Sequence, residues 1–156
     1  MSSHLATVHW TRGEQPFVDN RYSRRHALRF DGGAEWAGSS SPHVVRVPMS
    51  DPSAVDPEEA FVAALASCHM LWFLSLVAAE GWCVDDYRDD AVAEMGLNDR
   101  GREAVVRVTL RPVTRFAPGR APDAAALARL HHEAHEACYL ANSVACEIRC
   151  EPAFGT

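Results

Sequence analysis

The chain carries five cysteines, its most reactive side chains, and local sequence separates them into kinds. Cys146 and Cys150 alternate onto the apolar face of a strand-like segment and read as small core residues. Cys83 follows Gly81 and Trp82, with nothing beside it to activate a thiol. Cys68, in ALASCHM, lies about three turns inside a helix that starts near Pro57, beyond the reach of the positive helix end, and apolar burial raises a thiol pKa. It is a dormant thiol unless tertiary structure brings a cation to it. Cys138, in HEACYLANS, ends a second helix where the dipole is negative, so a thiolate is disfavoured there too. Both sulfurs lie on inward helix faces. If the helices pack together, thiols seventy residues apart in sequence can meet, which spacing alone does not establish.

The histidines form a rival constellation. His131, His132, His135 and Cys138 lie within two turns, and His131 with His135 at i and i+4 have a spacing that chelates zinc or another divalent metal. No second ligand cluster of matching type accompanies them. The plainer reading is a solvated helix surface, with Glu133 and Glu136 also facing water. The sequence has no GxSxG elbow, no phosphate-binding GxxxxGK loop and no HExxH, and Gly32-Gly33 is a turn rather than a dinucleotide-binding fingerprint.

These side chains are positioned by a readable series of elements. Short strands are predicted at Ala6–Trp10, His26–Phe30 and His43–Met49, the last from its period-2 alternation, with DGGAEWAGSSSP between the second and third as a loop. A helix follows, with Asp56 as cap, Pro57 at its first position, Glu59 where a capping box places a carboxylate, and Gly81 as its stop. Strands at about Tyr87–Met95 and Glu103–Val113 flank Asn98-Asp99-Arg100-Gly101 and make a hairpin. After the FAPGRAP turn, a helix over about Pro122–Cys138 sets Leu127, Leu130, His131, Ala134 and Cys138 on one stripe. A last strand, Val144–Glu151, puts Val144, Cys146, Ile148 and Cys150 on one face. The class is α+β.

With 156 residues, 47% hydrophobic and 23% charged, the composition is that of one globular domain spanning 1–156. A net charge of −6 argues against a sequence-independent grip on nucleic acid or anionic lipid. An odd cysteine count, no CxxC pair and no secretory signal point to a cytoplasmic protein with free thiols. The nineteen residues Phe61–Ala79 are apolar, but they include Ser67, Cys68, His69 and Ser75 and lack flanking cations, so a membrane span is rejected. A helix apolar on all sides is expected to be buried on all sides, against a large sheet, a second subunit, or both.

Two motifs, DPEEAFVAALASCHMLWFL and, seventy residues after its cysteine, HEACYLANSVACEIRCEP, resemble those of the OsmC/Ohr family of thiol-dependent hydroperoxide reductases, over about Tyr22 to Pro152. The resemblance implies antiparallel sheets around two central helices in an intertwined homodimer, with two active sites at the interface. It makes Cys68 the peroxidatic cysteine, Cys138 the resolving cysteine reached through an intrachain disulfide, and Glu58 the glutamate of the helix start. The family's arginine falls in YSRRHALRF, at Arg24, with Arg25 and Arg29 as alternatives. That guanidinium would stabilise the Cys68 thiolate, while Glu58 holds it through paired charge-assisted hydrogen bonds. The implied activity is cofactor-free reduction of organic hydroperoxides, with the resulting disulfide reopened by an external dithiol such as a lipoylated protein. Trp72 and Phe73 would line an apolar substrate pocket, against plain core packing as the competing reading. Trp82, Tyr139 and YSRRHALRFDGG are departures, so hydroperoxide specificity rests on the two cysteines and the family rather than on pocket residues. Two other functions stand beside this one: a dimeric small-molecule binding or redox-sensing module, and metal binding through His131, His135 and Cys138.

Overall fold

The structure is a computed structural model and describes residues 2–156. The chain divides into two compact units, one ending at Ala60 and one over Phe61–Thr156.

In the first unit, β1 (Ala6–His9), β2 (His26–Phe30) and β3 (Glu35–Gly38) form an antiparallel sheet in that order. The expected third strand is therefore misplaced: His43–Met49 is a series of turns, and β3 lies inside the segment read as a loop. The reason is local hydrogen bonding. Gly33, at φ +87°, closes a tight turn in which its N–H donates to the Phe30 carbonyl (3.0 Å) and the Phe30 N–H to the Ala34 carbonyl (3.0 Å). That turn folds Glu35–Gly38 back onto β2. At Gly38 a Cβ would stand 2.3 Å from His26 Nε2, so the His26 ring packs over the glycine in a place a larger residue would make it leave. The Val44 and Val45 amides meanwhile donate back to the Ser41 carbonyl (3.0 and 2.9 Å), and Pro48 has no N–H to give.

Helix α1 (Pro57–Ala79) begins and ends on the predicted signals. The Glu59 N–H donates to Asp56 Oδ1 (2.8 Å) and the Asp56 N–H to Glu59 Oε2 (3.0 Å), a closed capping box. At the other end Gly81, φ +81°, donates to the Ala78 carbonyl (3.0 Å) and Trp82 to the Val77 carbonyl (3.2 Å), a Schellman stop.

The two long strands expected next are four short ones: β4 (Val84–Asp89), β5 (Val92–Leu97), β6 (Glu103–Leu110) and β7 (Pro112–Phe116). β5 and β6 make the predicted hairpin across Asn98–Gly101, with the Asn98 side-chain oxygen accepting from the Arg100 (3.0 Å) and Arg102 (3.1 Å) amides. The ribbon breaks at one level on both sides. There the Arg111 N–H donates to Asp89 Oδ1 (2.7 Å) rather than to a backbone carbonyl, and Pro112 has no N–H. β4 and β7 thus enter a different sheet from β5 and β6.

Helix α2 (Ala124–Ala137) is capped by Asp123, whose carboxylate accepts from the Ala126 N–H (2.8 Å). After a 3₁₀ turn (Ala141–Ser143) come β8 (Glu147–Cys150), parallel to β6, and β9 (Ala153–Phe154), parallel to β7. The fold is α+β as expected, and its second unit adds a parallel strand pair to each of its two sheets.

The second unit has two cores. Phe73 and Val77 of α1 pack on Leu127, Leu130 and Ala134 of α2, while Leu65 packs on Val108 and Leu110 of β6, with Ile148 alongside. The predicted α2 stripe is buried throughout. Helix α1 differs from expectation. The chain buries only Leu65, His69, Phe73 and Val77, every fourth residue, and the opposite face of Ala64, Ser67, Leu71, Ser75 and Ala78 is exposed, with Leu71 62% accessible.

Candidate functional site

All five cysteines are free thiols. Cys68, half-buried on α1, and Cys138, buried at the end of α2, are near enough for each to act on the other's ionisation. The chain leaves α2 at Cys138 in extended conformation (φ −66°, ψ 113°) and turns at once. Polar residues of the second motif hold that turn. The Asn142 amide donates to the Glu136 and Cys138 carbonyls (both 2.9 Å), the Ser143 hydroxyl donates to the Tyr139 carbonyl (2.7 Å), and the Ala141 N–H donates to Cys138 Sγ (3.4 Å). Burial pushes the Cys138 thiol pKa up, and the neighbouring Cys68 thiol adds to the shift, against smaller opposing contributions from the Ala141 and Leu140 amides. Cys138 therefore keeps its proton.

Directly beside this pair lies a cluster that sequence reasoning missed. His69 and His131, 1% and 2% accessible, face each other in parallel planes with Nε2 of His69 3.0 Å from Nδ1 of His131. Cys150 Sγ approaches the same His69 Nε2 at 3.7 Å, and Phe73 stacks on the His131 ring with centroids 3.9 Å apart. Burial lowers His69 to about 4, with a smaller contribution from His135, and burial then His69 lower His131 to about 3, so both rings are neutral. Burial, with the charges of Asp89 and Glu151, pushes Cys150 up to about 12. The available signal was a histidine inside an apolar run, since a polar ring buried there costs free energy without a partner.

The set His131, His135 and Cys138 is not assembled as the helix spacing allowed: His131 turns to His69, and Cys138 to Cys68. Cys83 is exposed, and Cys146 is half-buried in the second core. Phe73 is wholly buried core, while Trp72 is half-buried edge-on to Tyr139, ring centroids 5.5 Å apart.

Arg24 and Glu58 belong to the first unit, Cys68 and Cys138 to the second. Nη1 of Arg24 donates to the Asn20 (2.9 Å) and Tyr22 (2.5 Å) carbonyls, its Nη2 donates to Asn20 Oδ1 (2.7 Å), and its guanidinium lies 3.9 Å over the Tyr22 ring. Arg25 pairs with Asp51, and Arg29 with Glu35 at 2.5 Å. Glu58 is half-buried in the first turn of α1, and among the described residues it makes no ion pair with any of the three arginines.

The chain is a small α+β protein with one half-buried and one buried thiol where its two helices pack. Its lineage is specific: the OsmC-like protein family matches residues 50–152, and the chain belongs to that family. An OsmC-like protein of unknown function from Vibrio cholerae has a solved structure at 49% identity and TM-score 0.95, covering 97% of this chain and 99% of that one. More distant structures share the fold. They include an organic hydroperoxide resistance protein from Elizabethkingia anophelis (14% identity, TM-score 0.67, 100% and 97% covered) and the organic hydroperoxide resistance protein OhrB of Bacillus subtilis (12%, 0.61, 99% and 98%). No match was found among curated proteins.

Proposed function

We propose that this protein is a cytoplasmic, cofactor-free peroxidase that reduces organic hydroperoxides to alcohols, with Cys68 as attacking and Cys138 as resolving thiol. The observation that carries this reading is the proximity of those two thiols, close enough for Cys68 to raise the Cys138 pKa, while burial keeps the proton on Cys138. The names of the fold relatives from E. anophelis and B. subtilis point to the same substrate class.

In the proposed cycle the Cys68 thiolate attacks the distal oxygen of the hydroperoxide. The O–O bond breaks, the alkoxide takes a proton and leaves as alcohol, and Cys68 becomes a sulfenic acid. The Cys138 thiol condenses with it, expelling water and forming an intrachain disulfide, and an external dithiol such as a lipoylated protein reduces that bond by exchange. A guanidinium would stabilise both the thiolate and the charge on the departing oxygen. Arg24 is assigned this role, with Arg25 and Arg29 as alternatives and Glu58 as its carboxylate holder. The single-domain chain acts as a homodimer joined across the uncovered face of α1.

The test is a hydroperoxide pulse on reduced protein followed by peptide mapping. One equivalent should consume two thiols per chain and link Cys68 to Cys138. Cys68→Ser should abolish peroxide consumption, and Cys138→Ser should leave a trappable sulfenic acid. Full activity in Cys68→Ser overturns the assignment, and oxidation without turnover under any dithiol favours a binding or redox-sensing module.

A further inference from the structure

We infer that His69 Nε2, His131 Nδ1 and Cys150 Sγ form a binding site for a thiophilic divalent cation of the zinc type, distinct from the Cys68–Cys138 pair. The three atoms come from three different elements, α1, α2 and the last residue of β8, and all lie within 4.8 Å of one another. Bonds of about 2.0–2.1 Å to nitrogen and 2.3 Å to sulfur make the ligand-to-ligand edges of a tetrahedral zinc site roughly 3.3–3.6 Å. The sulfur-to-His69 edge, 3.7 Å, is already there, and the 3.0 Å edge between the rings must open by a few tenths.

Packing alone does not account for this cluster. Two imidazoles are buried for one mutual hydrogen bond, and the far nitrogen of each, His69 Nδ1 and His131 Nε2, is buried with no partner among the described residues. Apolar side chains of the same volume would avoid that cost. The surroundings favour a cation. Asp89 keeps one carboxylate oxygen buried and unpartnered, and its charge acts on the Cys150 sulfur. The Tyr87 hydroxyl, also buried without a partner, feels both Asp89 and Cys150. A tetrahedral ion held by these three ligands takes a water as its fourth.

The proton balance is explicit. The metal-free cluster holds one proton on each ring and one on the thiol. Binding turns both ring lone pairs inward, leaves the ring protons on His69 Nδ1 and His131 Nε2, and releases the thiol proton, one per cation bound. A bound ion would bolt β8 to both helices one residue from Cys68.

The experiment uses reduced, tag-free full-length protein titrated with Zn²⁺ against a chromophoric chelator, and with Co²⁺ under anaerobic conditions. One ion per chain is expected, with a sulfur-to-cobalt charge-transfer band. Cys150→Ser and His131→Gln should each weaken binding by at least about a hundredfold, while the Cys68→Ser/Cys138→Ser double variant binds as wild type. In wild-type protein, which needs no variant to fold, Zn²⁺ should slow alkylation of Cys150 but not of exposed Cys83. The inference is overturned by no binding at micromolar Zn²⁺, by binding that survives Cys150→Ser, or by binding lost only in the double variant.

Discussion

The buried imidazole pair gives this protein a sharp acid sensitivity. His69 and His131 have folded pKa values of about 4 and about 3 against an ordinary 6.5. Between those values the unfolded chain binds more protons than the folded one, so stability rises with pH through that window and is unaffected by these rings above 6.5. At about 1.4 kcal/mol per pKa unit, His69 alone accounts for roughly 3 kcal/mol. Urea midpoints measured with chelator present should therefore fall steeply as pH drops from 6.5 toward 4, and the double variant His69→Leu/His131→Leu should flatten that limb. A wild-type profile flat over this range would show the rings to be solvated. Cys138 shifts the other way, burial retaining its proton, which suits the resolving role proposed for it.

The helices owe their ends to local chemistry and their placement to packing. Asp56 and Glu59 close a reciprocal cap, and removing one half of it in Asp56→Ala should cost about 1 kcal/mol by urea denaturation. Phe73 is different in kind, since it lies at 0% exposure between the helices and stacks on His131. Phe73→Ala should cost about 3–5 kcal/mol and loosen the contact that sets Cys68 beside Cys138, so disulfide formation after a peroxide pulse should slow along with the loss of stability. A variant as stable as wild type would mean that the helices are held by something other than this core.

Helix α1 is apolar around its whole circumference, yet the chain covers only one stripe of it. Leu71 stands at the centre of the uncovered face, flanked one turn away by Ser67 and Ser75. Exposed apolar helix surface of this kind is costly in water and compatible with close approach of a second copy, because its small residues let backbones near each other. Leu71→Glu is expected to shift sedimentation from dimer to monomer while leaving the far-ultraviolet circular dichroism unchanged. A wild-type protein that sediments as a monomer at micromolar concentration removes the proposed dimer.

Much of this molecule is encoded within a few residues of chain. The caps at Asp56 and Asp123, the stop at Gly81, the α2 stripe and the turn at Asn98–Gly101 all depend on neighbours within about two helical turns, so the order of residues suffices to find them. The two cysteine motifs carry enough specificity to mark the OsmC-like family. Other features depend on partners far away in the chain. Alternation at Val44–Met49 loses to a glycine turn that delivers β3 instead, and two long strands break where Asp89 captures the Arg111 amide across 22 residues. His69 meets His131 across 62 residues and Cys150 across 81. Periodicity states which face of an element is apolar but not which element covers it. Only the packed fold could decide that the histidine after Cys68 has a second histidine and a third thiol for neighbours.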